Sequence, residues 1–356
     1  MPNRKREIPT TPASKVPTIK QVAERAGVSV ATVSRVLAGK GFTSPERVER
    51  VRAAVQTLDY RPNRAARNLR TRVTQVVGVV ISDIQNPFFT SVVRGIEKVL
   101  EGAGYTLILC NSDEEPHREQ VLLATLRAES VAGVIISPTR ADSEAVHQMV
   151  LNGTPLVTID RTLSMTSVDS VAVANTQGAF TAVNHLLKLG HKCIGMISGP
   201  DQASTAKERK DGYLQALQAA LLQPCTGMIQ YGNFRQEGGY HAMNALLDLP
   251  QPPTAVLVGN NLMTLGALQA IHERGLAIPQ DIAIVGFDDM SWATSLQPPL
   301  TAVAQPTYEL GVTAAELLLE RIHDPQRPVR HIILETRLIV RASSTGQFNP
   351  VPPQKG

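Results

Sequence analysis

From Gln75 onward the chain alternates short, unbroken apolar runs with longer segments of helical periodicity, and it does so twice. The first series reads "VVGVVIS", "PFFTSVVRGIEKVLEGAG", "YTLILC", "REQVLLATLRA", "VAGVIIS", "EAVHQMVLNG" and "PLVTID". After "VDSVAVAN" the alternation restarts with "TQGAFTAVNHLLKLG", "CIGMIS", "KERKDGYLQALQAALL", "AVLVG", "LMTLGALQAIHERG" and "IAIVGF". Strands that are apolar along their whole length, rather than at every second residue, belong to parallel sheets covered on both faces by helices. Two such series predict two doubly wound α/β lobes. A chain of 356 residues is too long for one core, which agrees with that division.

Open sheets of this kind bind ligands beyond the carboxyl ends of their strands. Reading only those ends selects Ser82, Asp83 and Asn86-Pro87-Phe88-Phe89 after the first strand, and Asp160-Arg161 after "VTI". The second series supplies Thr205, Arg209, Phe234, Asn260 and Asp288, and Gln305 follows "TAVA". Carboxylates, amides and guanidinium groups beside flat aromatic rings suit a sugar. Its ring hydroxyls need paired donors and acceptors, and its apolar face stacks on aromatics. Each residue also has a plainer role. Asp160-Arg161 suits a surface ion pair, Phe88 the core of its helix, Asn260 the cap of the helix that follows, and Asp288 the cap of a turn beside Asp289. The plainer roles leave the joint placement at strand ends unexplained.

The charge is divided unevenly. Residues 1–72 hold 16 Lys and Arg against 5 Asp and Glu, while the remainder holds 19 against 26. A basic N-terminal fifth on an acidic body is the layout of a nucleic-acid reader carrying a separate module, unless the basic part is only a disordered tail. Residues 1–17, rich in Pro, Thr and Lys without periodicity, read as disorder. The segment that follows, "TIKQVAERAGVSVATVSRVLAGKGFTSPERVERVRAAVQTLDY", reads otherwise. Thr18 and Gln21 form a capping box, and Ile19, Val22, Ala23 and Ala26 line one face of a short helix. Gly27 supplies a turn that needs positive φ, and Ser29 caps a second helix with Val33, Val36 and Leu37 inward. Ser44-Pro45 opens a third, whose inward set is Val48, Val51, Val55 and Leu58. Two short helices joined by a Gly-containing turn make a helix-turn-helix, whose second helix enters the major groove by its N-terminal residues. Val30, Ala31, Thr32, Ser34 and Arg35 are the groove candidates, with Thr18 at the helix start added to the DNA-facing set. Thr32 and Ser34 can bond phosphate or base, Arg35 can fork onto guanine O6 and N7, and Val30 and Ala31 offer apolar contact to a thymine methyl.

"TIKQVAERAGVSVATVSRVL" followed by "YRPNRAARNLRT" resembles the lactose/galactose repressor family of bacterial transcription regulators, and the likeness runs from Thr18 to about Ser343. The resemblance implies a small all-α helix-turn-helix head over 18–60, a hinge helix over 61–72, and a periplasmic-binding-protein-like body over 73–346. Within the body it implies an N-lobe of about 73–174 plus 305–334 and a C-lobe of about 175–304 plus 335–346, followed by a disordered tail over 347–356. A helix of about eight residues is marginal alone in water. The hinge would therefore fold only on its partner, paired with its dimer mate in the minor groove. Leu69 matches the leucine that the family inserts between base steps, Asn63 and Arg64 match family positions that approach DNA, and the arginines, Arg67 among them, hold the flanking phosphates. The resemblance puts Asn86, Phe88, Phe89, Asp160 and Arg161 on the N-terminal wall of a sugar cleft. It puts Arg209, Phe234, Asn260 and Asp288 on the C-terminal wall, with Gln305 near the crossover. The set is similar to that of ribose-type binding proteins, so a monosaccharide in ring form is the expected effector. Where the family commonly has Asn-Asp this chain has Asn260-Asn261, whose second residue is expected to cap the next helix.

Other classes are disfavoured. "STAK" at Ser204 to Lys207 matches S-x-x-K, but no S-D-N or K-T-G accompanies it. No Walker loop, H-E-x-x-H, G-x-S-x-G or G-x-G-x-x-G occurs, and the histidines lack ligand spacing, so neither catalysis, a metal nor a cofactor is expected. A sugar-acting enzyme would need an acid/base pair and would have no use for residues 18–72. A periplasmic sugar-binding protein would need a signal peptide, and "MPNRKREIPTTPASKVPT" contains no apolar stretch. Cys110, Cys193 and Cys225 form no CxxC, and no apolar run is long enough to span a bilayer, so a cytoplasmic protein is expected. The tail lacks a leucine heptad. The expected protein is a homodimeric repressor binding a palindromic double-stranded operator.

Overall fold

The computed structural model describes residues 17–38, 42–60, 74–164 and 167–346. The chain divides into two compact units, Met1–Val73 and Thr74–Gly356.

In the first unit α1 (Ile19–Ala26), α2 (Val30–Ala38) and α3 (Pro45–Thr57) share one small core of Val22, Ala23, Ala26, Val33, Val51, Ala54 and Tyr60. The capping box is present: the Gln21 N–H donates to Thr18 Oγ1 at 3.4 Å, and the Thr18 N–H donates to Gln21 Oε1 at 2.8 Å. Gly27 ends α1 at φ 63°, a conformation a side chain would strain. Ser29 Oγ accepts from the Thr32 N–H at 3.1 Å and starts α2. Ser44 differs from expectation, since its hydroxyl makes no cap bond. The start of α3 rests on Pro45, whose ring fixes φ, and on the Val48 N–H donating to the Ser44 carbonyl at 3.1 Å.

The second unit contains two six-stranded sheets. The strands are β1 (Val76–Ile81), β2 (Thr106–Asn111), β3 (Gly133–Ile136), β4 (Leu156–Ile159), β5 (Asp169–Val173), β6 (Ile194–Ser198), β7 (Ile229–Tyr231), β8 (Ala255–Val258), β9 (Ala283–Phe287), β10 (Thr301–Ala304), β11 (His331–Leu334) and β12 (Arg337–Ile339). The first sheet runs β11-β5-β4-β3-β1-β2, with all pairs parallel. The second runs β12-β10-β9-β8-β6-β7, and only β12 is antiparallel to its neighbour. The chain passes between the sheets after β5, after β10 and after β11.

The first sheet packs on α4 (Pro87–Gly102), α5 (Pro116–Ala128), α6 (Glu144–Leu151) and α11 (Thr307–His323). Val77, Val79, Ile81, Ile135 and Ile159 face α4 and α11, while Val80, Val134 and Ile136 face α5 and α6. That is the two-sided burial expected of unbroken apolar strands. Strand β2 departs from it, because at the edge of the sheet Ile108 and Leu109 remain exposed. The second sheet carries α7 (Asn175–Lys188), α8 (Ser204–Ala219), α9 (Gln236–Leu247) and α10 (Asn261–Glu273). Gly311 of α11 lies against the Val92 carbonyl of α4, where a Cβ would overlap the oxygen, so glycine sets how closely these helices cross.

Candidate functional site

On the head, the exposed N-terminal side of α2 carries Ala31 and Arg35, with Thr32 and Ser34 partly covered. Thr32 Oγ1 lies 2.9 Å from Ser29 Oγ, so its hydroxyl serves the cap as well. Val30 turns partly toward the head core, which reduces the surface it can offer to a groove. Thr18 is exposed, but its hydroxyl donates to Gln21 Oε1 at 3.1 Å and works as a helix cap. Sequence reasoning passed over Phe42, which is 98% exposed beside this helix. Phe42 lines a hollow of about 310 Å³ with Thr32, Arg35, Thr43, Ser44 and Arg47. Asn63, Arg64, Arg67 and Leu69 lie outside the described residues.

In the body, side chains from the carboxyl ends of both sheets meet in one cleft, formed by Asp83, Asn86, Phe88, Phe89, Glu114, Asp160, Arg161, Thr205, Arg209, Phe234, Asn260, Asp288 and Gln305. The free space between them is only about 30 Å³, so the two walls are nearly in contact. Twelve of the fourteen strand-end candidates, Asp83 among them, are in this set. Pro87 is not, and neither is Ser82. Its hydroxyl donates to Ser137 Oγ at 3.1 Å and ties the ends of β1 and β3 together inside the sheet. Successive side chains of extended chain point to opposite faces, and here Asp83 is the one directed to the cleft. Glu114 was missed altogether, although it follows β2 in the same way.

Local geometry fixes each group. Asn86 caps α4, its Oδ1 accepting from the Phe88 N–H at 2.9 Å, and thereby presents the T-shaped pair Phe88–Phe89, whose centroids are 5.0 Å apart. Both rings are also core residues, so the plainer role and the cleft role coincide. Asn260 caps α10 through the Met263 N–H at 2.8 Å and donates to the Phe234 carbonyl at 2.9 Å, which orients that ring. Asp160, Phe234 and Asp288 have φ of 64°, 62° and 77°. Left-handed backbone at three non-glycine residues is costly and is maintained where surrounding contacts over-determine it, as at binding sites.

Asp160-Arg161 is not a surface pair. Arg161 is 5% exposed and its main partner is Glu114, with Nη1 and Nη2 donating to the two carboxylate oxygens at 2.7 and 2.6 Å. Burial would lower the Arg161 pKa, but the charge and hydrogen bonds of Glu114 outweigh it and the net shift is upward. Arg209 donates to Asn175 Oδ1 at 2.8 Å and to the Gly259 carbonyl at 2.6 Å, with its guanidinium carbon 3.9 Å from the centroid of the Phe287 ring. Burial pushes Asp160 up to about 6 even though Arg161 and Arg209 pull it down. Burial also raises Asp288, against Arg209, the Gln305 amide and the Asn261 N–H. Asp288 therefore holds the start of α10, while Asp289 pairs separately with Arg341 at 2.6 Å.

Four contacts bridge the two walls. Asn261 Nδ2 donates to Asn86 Oδ1 at 2.8 Å, the Thr162 N–H donates to Ser204 Oγ at 3.1 Å, Arg235 Nη2 donates to Asp113 Oδ1 at 2.9 Å, and Arg161 lies 5.2 Å from the Phe234 ring centroid. Asn261 was expected to cap α10, but Asn260 does so and Asn261 joins the walls. Ser204 of the S-x-x-K match is occupied by Thr162, and Lys207 is exposed. Among the described residues no group of His, Cys, Asp and Glu is placed to hold a metal, and no helix is long and apolar enough to cross a membrane.

A helix-turn-helix on the same chain as a two-lobed cleft of strand-end polar groups defines a DNA-binding transcription regulator that responds to a small molecule. Residues 18–63 match the bacterial regulatory proteins of the lacI family, and residues 183–344 match a periplasmic binding protein-like domain. The chain is 35% identical over 328 residues to the HTH-type transcriptional repressor PurR of Edwardsiella ictaluri, covering 92% of this chain and 96% of that one. It is similar to the lac repressor dimer bound to operator and the anti-inducer ONPF, with TM-score 0.84, 29% identity, and coverage of 93% of this chain and 100% of that one. It is also similar to a LacI family transcriptional regulator from Enterococcus faecium with bound ribose, with TM-score 0.69, 31% identity, and coverage of 78% and 100%. The chain belongs to the lacI family of bacterial regulatory proteins and is a transcriptional repressor rather than an enzyme.

Proposed function

We propose that the protein acts as a homodimer on a palindromic operator in the bacterial cytoplasm, and that a monosaccharide in the body cleft sets its affinity for DNA. The observation that carries the reading is the convergence of Asn86, Asp160, Arg209, Asp288 and three phenylalanine rings on one point from both sheets. Such a site closes when its ligand is held by both walls, and only a ligand that binds the closed and open arrangements differently can shift their balance. Relatives with operator DNA and with ribose support the two halves of the reading separately.

The basic segment 61–72, which lies outside the described residues, would carry the effect of closure to DNA, with Leu69 as the wedge and Asn63, Arg64 and Arg67 as DNA contacts. Exposed Ile108 on β2 and Val121 on α5, which carry their side chains on the same side of the sheet, are apolar candidates for contact with the second protomer.

The test uses the full chain and a duplex selected by it from a randomised palindromic library. Binding is followed by fluorescence anisotropy from low to physiological salt. Each neutralised phosphate contributes about −0.9 to the slope of log K against log salt, so a dimer with two basic heads gives a steep negative slope. A flat salt response, or failure to select any sequence, overturns the DNA half. Thermal-shift screening of the same chain against monosaccharides tests the other half, since a ligand of the folded state raises Tm.

A further inference from the structure

We propose that the cleft takes one uncharged sugar ring and rejects phosphorylated sugars, because its unmet hydrogen-bonding groups call for hydroxyls and neither of its guanidinium groups has a free pair of terminal nitrogens. This rests on the sugar reading above and narrows it.

Two buried polar atoms in the cleft have no hydrogen-bond partner, Arg161 Nε and Gln305 Oε1. One is a donor and the other an acceptor. The Gln305 amide nitrogen donates to Asp288 Oδ1, which leaves the amide oxygen as the acceptor. The nearest carboxylate oxygen to Arg161 Nε is Asp160 Oδ2 at 3.8 Å, which is beyond hydrogen-bond reach. A ligand that relieves both atoms must accept at one place and donate at the other. A hydroxyl does both, whereas a phosphate dianion only accepts. The carboxylates of Asp160 and Asp288 likewise require donors.

Charge points the same way. Four carboxylates, Asp83, Glu114, Asp160 and Asp288, line the cleft against two guanidinium groups. Arg161 gives both terminal nitrogens to Glu114, and Arg209 spends Nε on Asn175 and Nη1 on the Gly259 carbonyl, which leaves Nη2 alone for a ligand hydroxyl. A phosphate entering here would face a carboxylate excess with no free fork to receive it, and an unpaired buried charge is costly. About 30 Å³ free between the walls is less than one sugar ring fills, so the walls must part for any sugar, and a second ring must part them further against the bridging contacts.

The experiment is titration calorimetry of the full chain at pH 7.5 with D-ribose and a panel of other aldoses and ketoses, the matching sugar phosphates, cellobiose, and a purine and a nucleoside. One neutral monosaccharide is expected to bind, with its phosphate ester weaker by roughly 100-fold or more and cellobiose without measurable heat. Equal or tighter binding of the ester or of the disaccharide overturns the inference while leaving the sugar reading intact. Binding of the purine or nucleoside alone, or of nothing in the panel, overturns the sugar reading itself. Glu114→Gln supplies an independent check, because it removes one carboxylate and releases the Arg161 fork. The preference for sugar over its phosphate should narrow by about tenfold. An unchanged preference in a variant that still melts cooperatively and binds DNA counts against the charge argument.

Discussion

Asn261→Asp is a change of one atom that the bridging contact should register strongly. In the parent, Asn261 Oδ1 accepts from the Leu262 N–H at 2.6 Å, which directs Nδ2 across the cleft to Asn86 Oδ1 at 2.8 Å. Asn86 Oδ1 cannot turn away, since it also caps α4. An aspartate would place a second acceptor against that oxygen and add a charge close to Asp288, whose Oδ2 receives the Asn261 N–H. The lost amide bond is worth about 0.5–1.5 kcal/mol, and leaving the Asn86 acceptor opposed to another costs about 1–3 kcal/mol more. Both terms fall on the closed arrangement alone. If the ligand binds that arrangement, its apparent affinity drops with the closed population, by roughly 10-fold to 100-fold. Titration calorimetry with the bound sugar measures this directly, and the radius of gyration of the ligand-free variant should increase. The Tm of the apo variant checks that the fold survives. Sugar affinity within about twofold of the parent would refute the claim that this contact holds the lobes together.

Burial raises Asp160 to about 6, so between its unfolded and folded pKa the native state binds more protons, and stability contributed by this group falls as pH rises through that window. Asp160→Asn should therefore stabilise the apo body at pH 7, by at most about 3 kcal/mol, while weakening sugar binding; a lower apo Tm at pH 7 would count against the burial argument. In the parent, sugar affinity should decline as pH drops below about 6, because the protonated carboxyl loses an acceptor for a ligand hydroxyl; calorimetry across pH 5 to 8 reads this, and a flat profile contradicts it. Gly311→Ala gains about 1 kcal/mol of helix propensity but drives a Cβ into the Val92 carbonyl, and overlap with backbone should win, lowering Tm by several degrees; an unchanged or raised Tm would mean α4 and α11 can separate freely.

Much of this architecture follows from periodicity. Unbroken apolar runs such as "VVGVVI" and "AVLV" are parallel strands because helices cover both sides, and both are buried along nearly all their length. The head was legible from its punctuation, Thr18 with Gln21 and Gly27 at positive φ, because caps are local chemistry. The cleft was legible where the rule about strand ends was applied to each residue, but the rule does not say which of two adjacent residues faces outward, so it named both Ser82 and Asp83, of which only Asp83 lines the cleft. Glu114 was overlooked because β2 is an edge strand, and "NSDEEP" after it reads as an ordinary acidic loop until Arg161, 47 residues away, is seen to need a partner. Asn261 was misread as a cap because its actual partner, Asn86, is 175 residues away and on the other sheet. Contacts of that range leave no pattern in a single chain.

A chain that reads DNA with its head and is switched by a neutral sugar in its body must couple the two sites. The most direct measurement is the dissociation constant of the full chain for its selected operator, at fixed salt, with and without a saturating concentration of the sugar that binds, in the parent and in Arg209→Ala. Sugar should change parental operator affinity by about fivefold or more, the usual scale of coupling between sites, and leave Arg209→Ala at its unliganded affinity. Operator affinity unaffected by a sugar that demonstrably fills the cleft, or a full response retained in Arg209→Ala, would contradict that coupling.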